Sequence, residues 1–270
     1  MKPNQLTNLL AFFAFCLFLS FPKTSFAQLG GNAFSALSKI PTDSSVWWVN
    51  NPSCQPPAGT HLGAYYTQRL LVNELKTIGL CASIHKKQSS YAGSVEYFGY
   101  AISNVTQFTL SIQQQLFPKL SLGIGAQYLR HFVKESTSNR LCSVTWRSDY
   151  QINTQTSVFL WAKVPTKTNE LPNEFVHGIG IRNQFTDHHS MLIQYEWSMN
   201  AQPTYAILYI FRLSTALDVQ LGWSQNPNYF GFGVRWSSKH LKGQIWNRQE
   251  AKLGFSPVLV VETQPIFERS

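Results

Sequence analysis

The chain has 270 residues, with 22 Lys and Arg against 13 Asp and Glu and a formal net charge of +9. Only 13% of it is charged and 14% is aromatic, whereas soluble domains carry about 25% charge. The basic residues are scattered with no Lys/Arg run; this excludes the clustered footprint of a nucleic-acid-binding protein and fits attraction to acidic lipid head groups.

The first segment reads as an export signal. Lys2 precedes an apolar stretch from Leu9 to Phe21, and Ser25-Phe26-Ala27 forms a small-x-small cleavage site. That is the layout of a secretory signal peptide over residues 1–27. The stretch is too short for a spanning helix, which needs about 20 apolar residues. The mature chain is expected to start near Gln28. Cys16 sits inside the apolar stretch with further apolar residues behind it, which argues against a lipid anchor. Loss of Lys2 and Lys23 with the leader leaves a net charge of about +7. Cys54, Cys81 and Cys142 remain, so at most one internal bridge can form; the pairing is open, and their spacing gives no zinc motif.

Residues 28–57 show no clear alternation but hold "SVWWVNNPSCQP", from Ser45 to Pro56. Pro52 restricts Asn51 to extended geometry, which leaves the Asn side chain to bond local backbone. Trp47 and Trp48 supply an apolar anchor. The segment is expected to act structurally, as a plug or strand-entry element.

From Gly59 onward the period becomes two residues. Ile78, Leu80, Ala82 and Ile84 alternate with Gly79, Cys81, Ser83 and His85, and the pattern returns at Leu120–Tyr128, Met191–Trp197, Leu217–Trp223 and Phe230–Trp236. A period of two sends successive side chains to opposite faces of a sheet. About fourteen such segments are expected: 59–69, 76–85, 90–101, 104–116, 119–131, 140–149, 153–165, 174–184, 188–199, 203–213, 215–225, 229–237, 240–248 and 252–263. Their length of about ten residues is what a transmembrane strand needs. The fold class is therefore all-β.

A soluble sandwich or lipocalin-like barrel would turn charged residues to water. Here the polar positions are largely Gly, Ser, Thr and Gln, and the apolar faces end in aromatics such as Tyr128, Trp197, Trp223 and Trp236. Apolar-out, small-polar-in alternation with interfacial aromatics marks an outer-membrane barrel. Lipid also requires closure, because an open edge leaves unpaired backbone groups. The expected architecture is a closed antiparallel transmembrane β-barrel over residues 58–264, with a tail at 265–270.

The alternation points Glu196, Asp218 and Arg235 to the lumen, and Arg182 and Arg212 with them. They read as charges paired across the interior or as a constriction selecting solutes. Asp187-His188-His189 reads as a solvated turn, because no third ligand stands at a fixed offset. No catalytic motif, metal site or cofactor motif is found.

"TDSSVWWVNNPSCQP" ahead of a barrel resembles the N-terminal signature of the FadL-like and PorV/PorQ-like outer-membrane barrels. There an Asp and an aromatic precede Asn-Pro-Ala. The matching positions are Asp43, Trp47 or Trp48, Asn51 and Pro52, with Ser53 in place of Ala. "GAYYTQRLLVNELKTIGLCASI" resembles the first hairpin of the secretion-associated branch, "YFGYAISNVTQFTLSIQQQLFPKLSLGIGAQYL" its third to fifth strands, and "YFGFGVRW" followed by "AKLGFSPVLVV" its closing hairpins. The resemblance implies a fourteen-stranded, non-enzymatic barrel in the outer membrane, in contact with its lipid. It also implies a role as a type IX secretion scaffold or a partner of exported cargo. A FadL-like channel for hydrophobic small molecules is the alternative.

Overall fold

The computed structural model describes residues 59–68, 76–134, 138–165, 175–198, 201–225, 228–250 and 254–263. The leader, the segment 28–57 with Asp43, Trp47, Trp48, Asn51, Pro52, Ser53 and Cys54, and the tail 265–270 lie outside the described residues.

Fourteen strands follow one another: β1 (Gly59–Gln68), β2 (Lys76–Lys86), β3 (Ser89–Gly99), β4 (Ser103–Phe117), β5 (Leu120–Val133), β6 (Asn139–Gln151), β7 (Thr156–Pro165), β8 (Val176–Gln184), β9 (His189–Ser198), β10 (Ala201–Ser214), β11 (Leu217–Gln225), β12 (Tyr229–Ser237), β13 (Leu241–Glu250) and β14 (Gly254–Thr263). Each pairs antiparallel with its sequence neighbours, and β1 pairs with β14, so the sheet closes on itself. Closure leaves no strand edge exposed, the condition a hydrocarbon surround imposes.

The closing seam is the shortest ladder. It runs from Gly63↔Glu262 to Thr67↔Val258, whereas β1 pairs with β2 along its whole length. Side chains extend it: Leu62 N donates to Thr263 Oγ1 at 3.0 Å, and His61 Nδ1 lies 3.0 Å from the Thr263 carbonyl.

The strands present apolar residues on the outer wall, with Leu62, Leu80, Leu110, Ile124, Leu221 and Phe232 all exposed. The alternate positions are buried: Thr77, Ser83, Gln107, Thr109, Gln220 and Ser224 among them. Exposed apolar surface on this scale suits lipid, where it replaces water contact.

The strand limits fall within three residues of the expected ones, and β12 matches at both ends. The largest shift is at β7, which begins at Thr156 rather than 153. There Asn153 Oδ1 accepts bonds from the Gln155 and Thr156 backbone N–H groups, at 2.9 and 2.7 Å. This local turn competes with strand pairing. In β10 the register slips between Ala201 and Thr204, around Pro203, which cannot donate to a ladder. The β3–β4 turn requires Gly99, whose φ is 104° and where a Cβ would stand 2.4 Å from the Ser103 carbonyl oxygen. Lys87, in the two-residue β2–β3 turn, also has positive φ, 56°.

The two rims differ. Where β1 begins and β14 ends, strands are joined through residues 87–88, 118–119, 152–155, 185–188, 215–216 and 238–240. The opposite rim carries the longest connections, 69–75 and 166–175. Short periplasmic turns and longer outer loops are the rule in such barrels, which assigns the first rim to the periplasmic side and the second to the outer side.

Candidate functional site in the barrel lumen

The inward positions build three zones. The first is a charged collar near the periplasmic rim. Asp218 (β11) sits directly opposite Arg235 (β12) and Arg212 (β10) in the two ladders. Arg235 Nε donates to Asp218 Oδ2 at 2.8 Å, a second bond from its Nη2 reaches the same oxygen, and Arg212 Nε lies 3.5 Å from Oδ1. A few strands away Arg147 grips Asp149 through two bonds, Nη2 to Oδ1 being 2.8 Å, and Gln113 Nε2 donates to Asp149 Oδ2 at 3.1 Å. Residues i and i+2 on one strand share a face, which lets a single strand supply this ion pair. Paired in this way, buried charges avoid the penalty of lone ions.

The second zone is a hydrophobic sector at mid-depth. Phe159 and Trp161 on β7, Leu192 on β9 and Leu208 on β10 are buried, and they pack in one cluster with Trp246 on β13 and Val258 and Val260 on β14. Tyr65, Cys81 and Ala92 carry the cluster round to β3. The aromatics lie against the wall, because glycines on adjacent strands make room for them. A Cβ at Gly178 would come within 2.2 Å of the Trp161 ring, one at Gly180 within 2.1 Å of Phe159, and one at Gly231 within 2.2 Å of Trp246. Trp246 also covers Gly222 and Gly233. The rings therefore lie along the wall over glycine backbone and are buried in the cluster.

The third zone is the polar wall of β4 to β6, with Gln107, Thr109 and Ser143 buried on it. Gln127 Oε1 accepts from Ser143 Oγ at 3.2 Å and from Lys163 Nζ. Glu96, on β3, lies in electrostatic reach of both Tyr65 and Lys163. Gln244 Nε2 donates to Gln220 Oε1 at 2.9 Å between the apolar sector and the collar.

Of the lumen charges singled out from sequence, Asp218, Arg235 and Arg212 meet in one cluster. Arg182 takes an inward position beside Leu192, and Glu196 one beside Gly178, further toward the outer rim. Sequence reasoning passed over Glu96, Arg147, Asp149, Lys163, Arg248 and Glu262, all on inward positions. The signal was present: in Val144–Tyr150 the apolar Val144 and Trp146 alternate with Thr145, Arg147 and Asp149. It also took the inner face as mainly Gly, Ser, Thr and Gln, and so did not see the apolar sector.

His188 and His189 diverge. His188 Nδ1 is 2.9 Å from the Arg212 carbonyl, while His189 bonds Tyr209 and stacks on Phe211 with ring centroids 4.9 Å apart. Among the described residues no three His, Cys, Asp or Glu side chains converge as a metal site. Cys81 faces the lumen and Cys142 the outer wall, so the wall itself separates these two thiols.

A closed fourteen-stranded antiparallel barrel with an apolar exterior is an outer-membrane β-barrel fold. Among solved structures, it is similar to the toluene transporter TodX of P. putida, at 10% identity and a TM-score of 0.55 over 89% of this chain and 99% of that one. It is likewise similar to a FadL homologue of Pseudomonas aeruginosa, at 9% identity and a TM-score of 0.57 over 85% and 96%. The Acinetobacter baumannii outer membrane protein Omp33 matches at 8% identity and a TM-score of 0.55, over 77% and 98%. At such identities the likeness is one of fold. No family model and no curated protein matches the chain.

Proposed function

We propose that the chain is a non-enzymatic outer-membrane channel for hydrophobic small molecules. The observation that carries this reading is the apolar sector inside the barrel. A water-filled porin has a polar interior, and the apolar outer wall already satisfies lipid, so the second apolar surface calls for another explanation. Ligand sites are mostly apolar with a few placed polar groups. The sector around Leu208 and Trp246 has this character, with Gln220 and Gln244 at its border. Likeness in fold to the toluene transporter TodX and to a FadL homologue supports a channel over a scaffold. The type IX reading rests on the sequence resemblance alone.

The role of the lumen charges belongs to the same proposal. The Asp218–Arg235–Arg212 and Arg147–Asp149 clusters brace the collar below the sector, while Arg182 adds polarity beside Leu192 and Glu196 does so further toward the outer rim. The test is diffraction from crystals of the barrel soaked with a bromine-labelled apolar compound. Bromine is expected against Leu192, Leu208 and Trp246. Bromine found only on the outer wall, with none in the lumen, overturns the reading.

A further inference from the structure

A second site lies on the outer wall and is independent of the channel reading. Arg130 of β5 and Arg140 of β6 are direct partners in the β5–β6 ladder, and both are exposed. Their positions alternate with the inward Leu129 and Leu141, so both side chains leave the wall on its lipid side. Directly opposed residues have Cβ atoms about 5 Å apart, and like charges so placed destabilise a sheet. Relief would come from an acid, yet Asp149 is the one acidic residue in the described parts of β4 to β7, and it faces the lumen. Among strand acids whose side chains are described, Glu96, Glu196, Asp218 and Glu262 also take inward positions.

The surroundings define what would neutralise the pair. Below Arg130 and Arg140 the same face is apolar, with Tyr128, Ala126 and Ile124 on β5 and Val144 and Trp146 on β6. Above them Lys134 is exposed. Arg140 lies beyond the last β6–β7 pair, Ser143↔Pro165, so its far side is not paired to β7. Two guanidinium groups over an apolar strip, at the rim with the longer connections, match a lipid whose phosphate sits directly above its acyl chains. Arg presents paired N–H donors that fit phosphate oxygens.

We infer that Arg130 and Arg140 form a binding site for a phosphorylated outer-leaflet glycolipid of the lipid A type. The phosphate bridges the two guanidinium groups, Lys134 adds a third positive charge, and the acyl chains lie along Tyr128, Ile124 and Val144.

The test uses the purified full-length barrel in detergent, with bound lipid read by native mass spectrometry. Wild-type protein is expected to bind diphosphorylated lipid A about tenfold more tightly than its dephosphorylated form. The double variant Arg130→Gln, Arg140→Gln is expected to lose that preference while keeping the heat-modifiable gel migration of a folded barrel. The wild-type comparison needs no variant, so a folding defect in the double variant leaves the site testable. Equal binding of the two lipid A forms by wild-type protein overturns the site. So does a folded double variant that keeps the preference. Competition by phosphatidylglycerol at equal concentration, to the same extent as by diphosphorylated lipid A, also refutes it by reducing the contact to general attraction for anionic lipid.

Discussion

Asp218 holds the collar together. Its carboxylate serves Arg235 and Arg212 at once, and its side chain is 11% exposed against 14% for Arg235 and 49% for Arg212. Removing one partner of a buried pair leaves the other charged without compensation, at a cost of about 3–5 kcal/mol. Asp218→Asn is therefore expected to lower barrel stability by several kcal/mol in urea titrations, and Asp218→Asn with Arg235→Gln to recover part of that loss. Equal stability of the single variant and wild type would contradict the pairing. Gly231 is the second residue on which the lumen depends, because Trp246 occupies the space of its missing side chain. Gly231→Val is expected to push the indole off the wall, with an overpacking cost of about 1–3 kcal/mol. Trp246→Leu in the same chain should suppress much of that cost. A double variant no more stable than Gly231→Val would show that the ring is not what fills the space.

At the scale of the strand, the two faces are expected to answer oppositely to charge. Leu110 is near the middle of β4 on the outer wall and 67% exposed, while Gln107 on the same strand is buried in the lumen. An Arg facing lipid at mid-depth costs about 2–4 kcal/mol. Leu110→Arg is expected to lose that amount in folding into lipid vesicles, and Gln107→Arg distinctly less. A reversed order would invert the assigned faces. Most of this was legible in the sequence, because strands such as β2, β11 and β12 alternate cleanly, with one apolar face and one small or polar face. The apolar lumen was not, and the reason is local. In β7 the run Val158–Ala162 and in β10 the run Ala206–Phe211 are apolar on both faces. A period of two cannot show which face is which when both are apolar. The seating of the aromatic rings was equally hidden, since it depends on Gly178, Gly180 and Gly231 meeting rings that the register alone brings beside them. The Asp218–Arg235–Arg212 contact likewise needed the ladder pairs Arg212↔Asp218 and Asp218↔Arg235, which no local pattern reveals.

The whole molecule is a closed wall, apolar on its lipid side and mixed inside, where one buried apolar cluster sits beside a polar wall and a charged collar. The outer surface explains how the chain resides in a bilayer, and closure explains how its backbone survives there. The apolar cluster is the inner feature that a wholly polar pore would lack. A charge placed within the inner sector should block hydrophobic solutes while leaving the lipid-facing wall unchanged, and Leu208, 1% exposed within the cluster, is the position for it. The most direct measurement compares the uptake of a labelled monoaromatic hydrocarbon by three sets of cells. One produces the wild-type barrel, one the Leu208→Arg variant at matched membrane levels, and one neither. Uptake raised by the wild type and returned to the barrel-free rate by Leu208→Arg is the predicted result. Equal uptake by all three, or a variant that transports as fast as the wild type, would contradict a hydrophobic passage through the lumen.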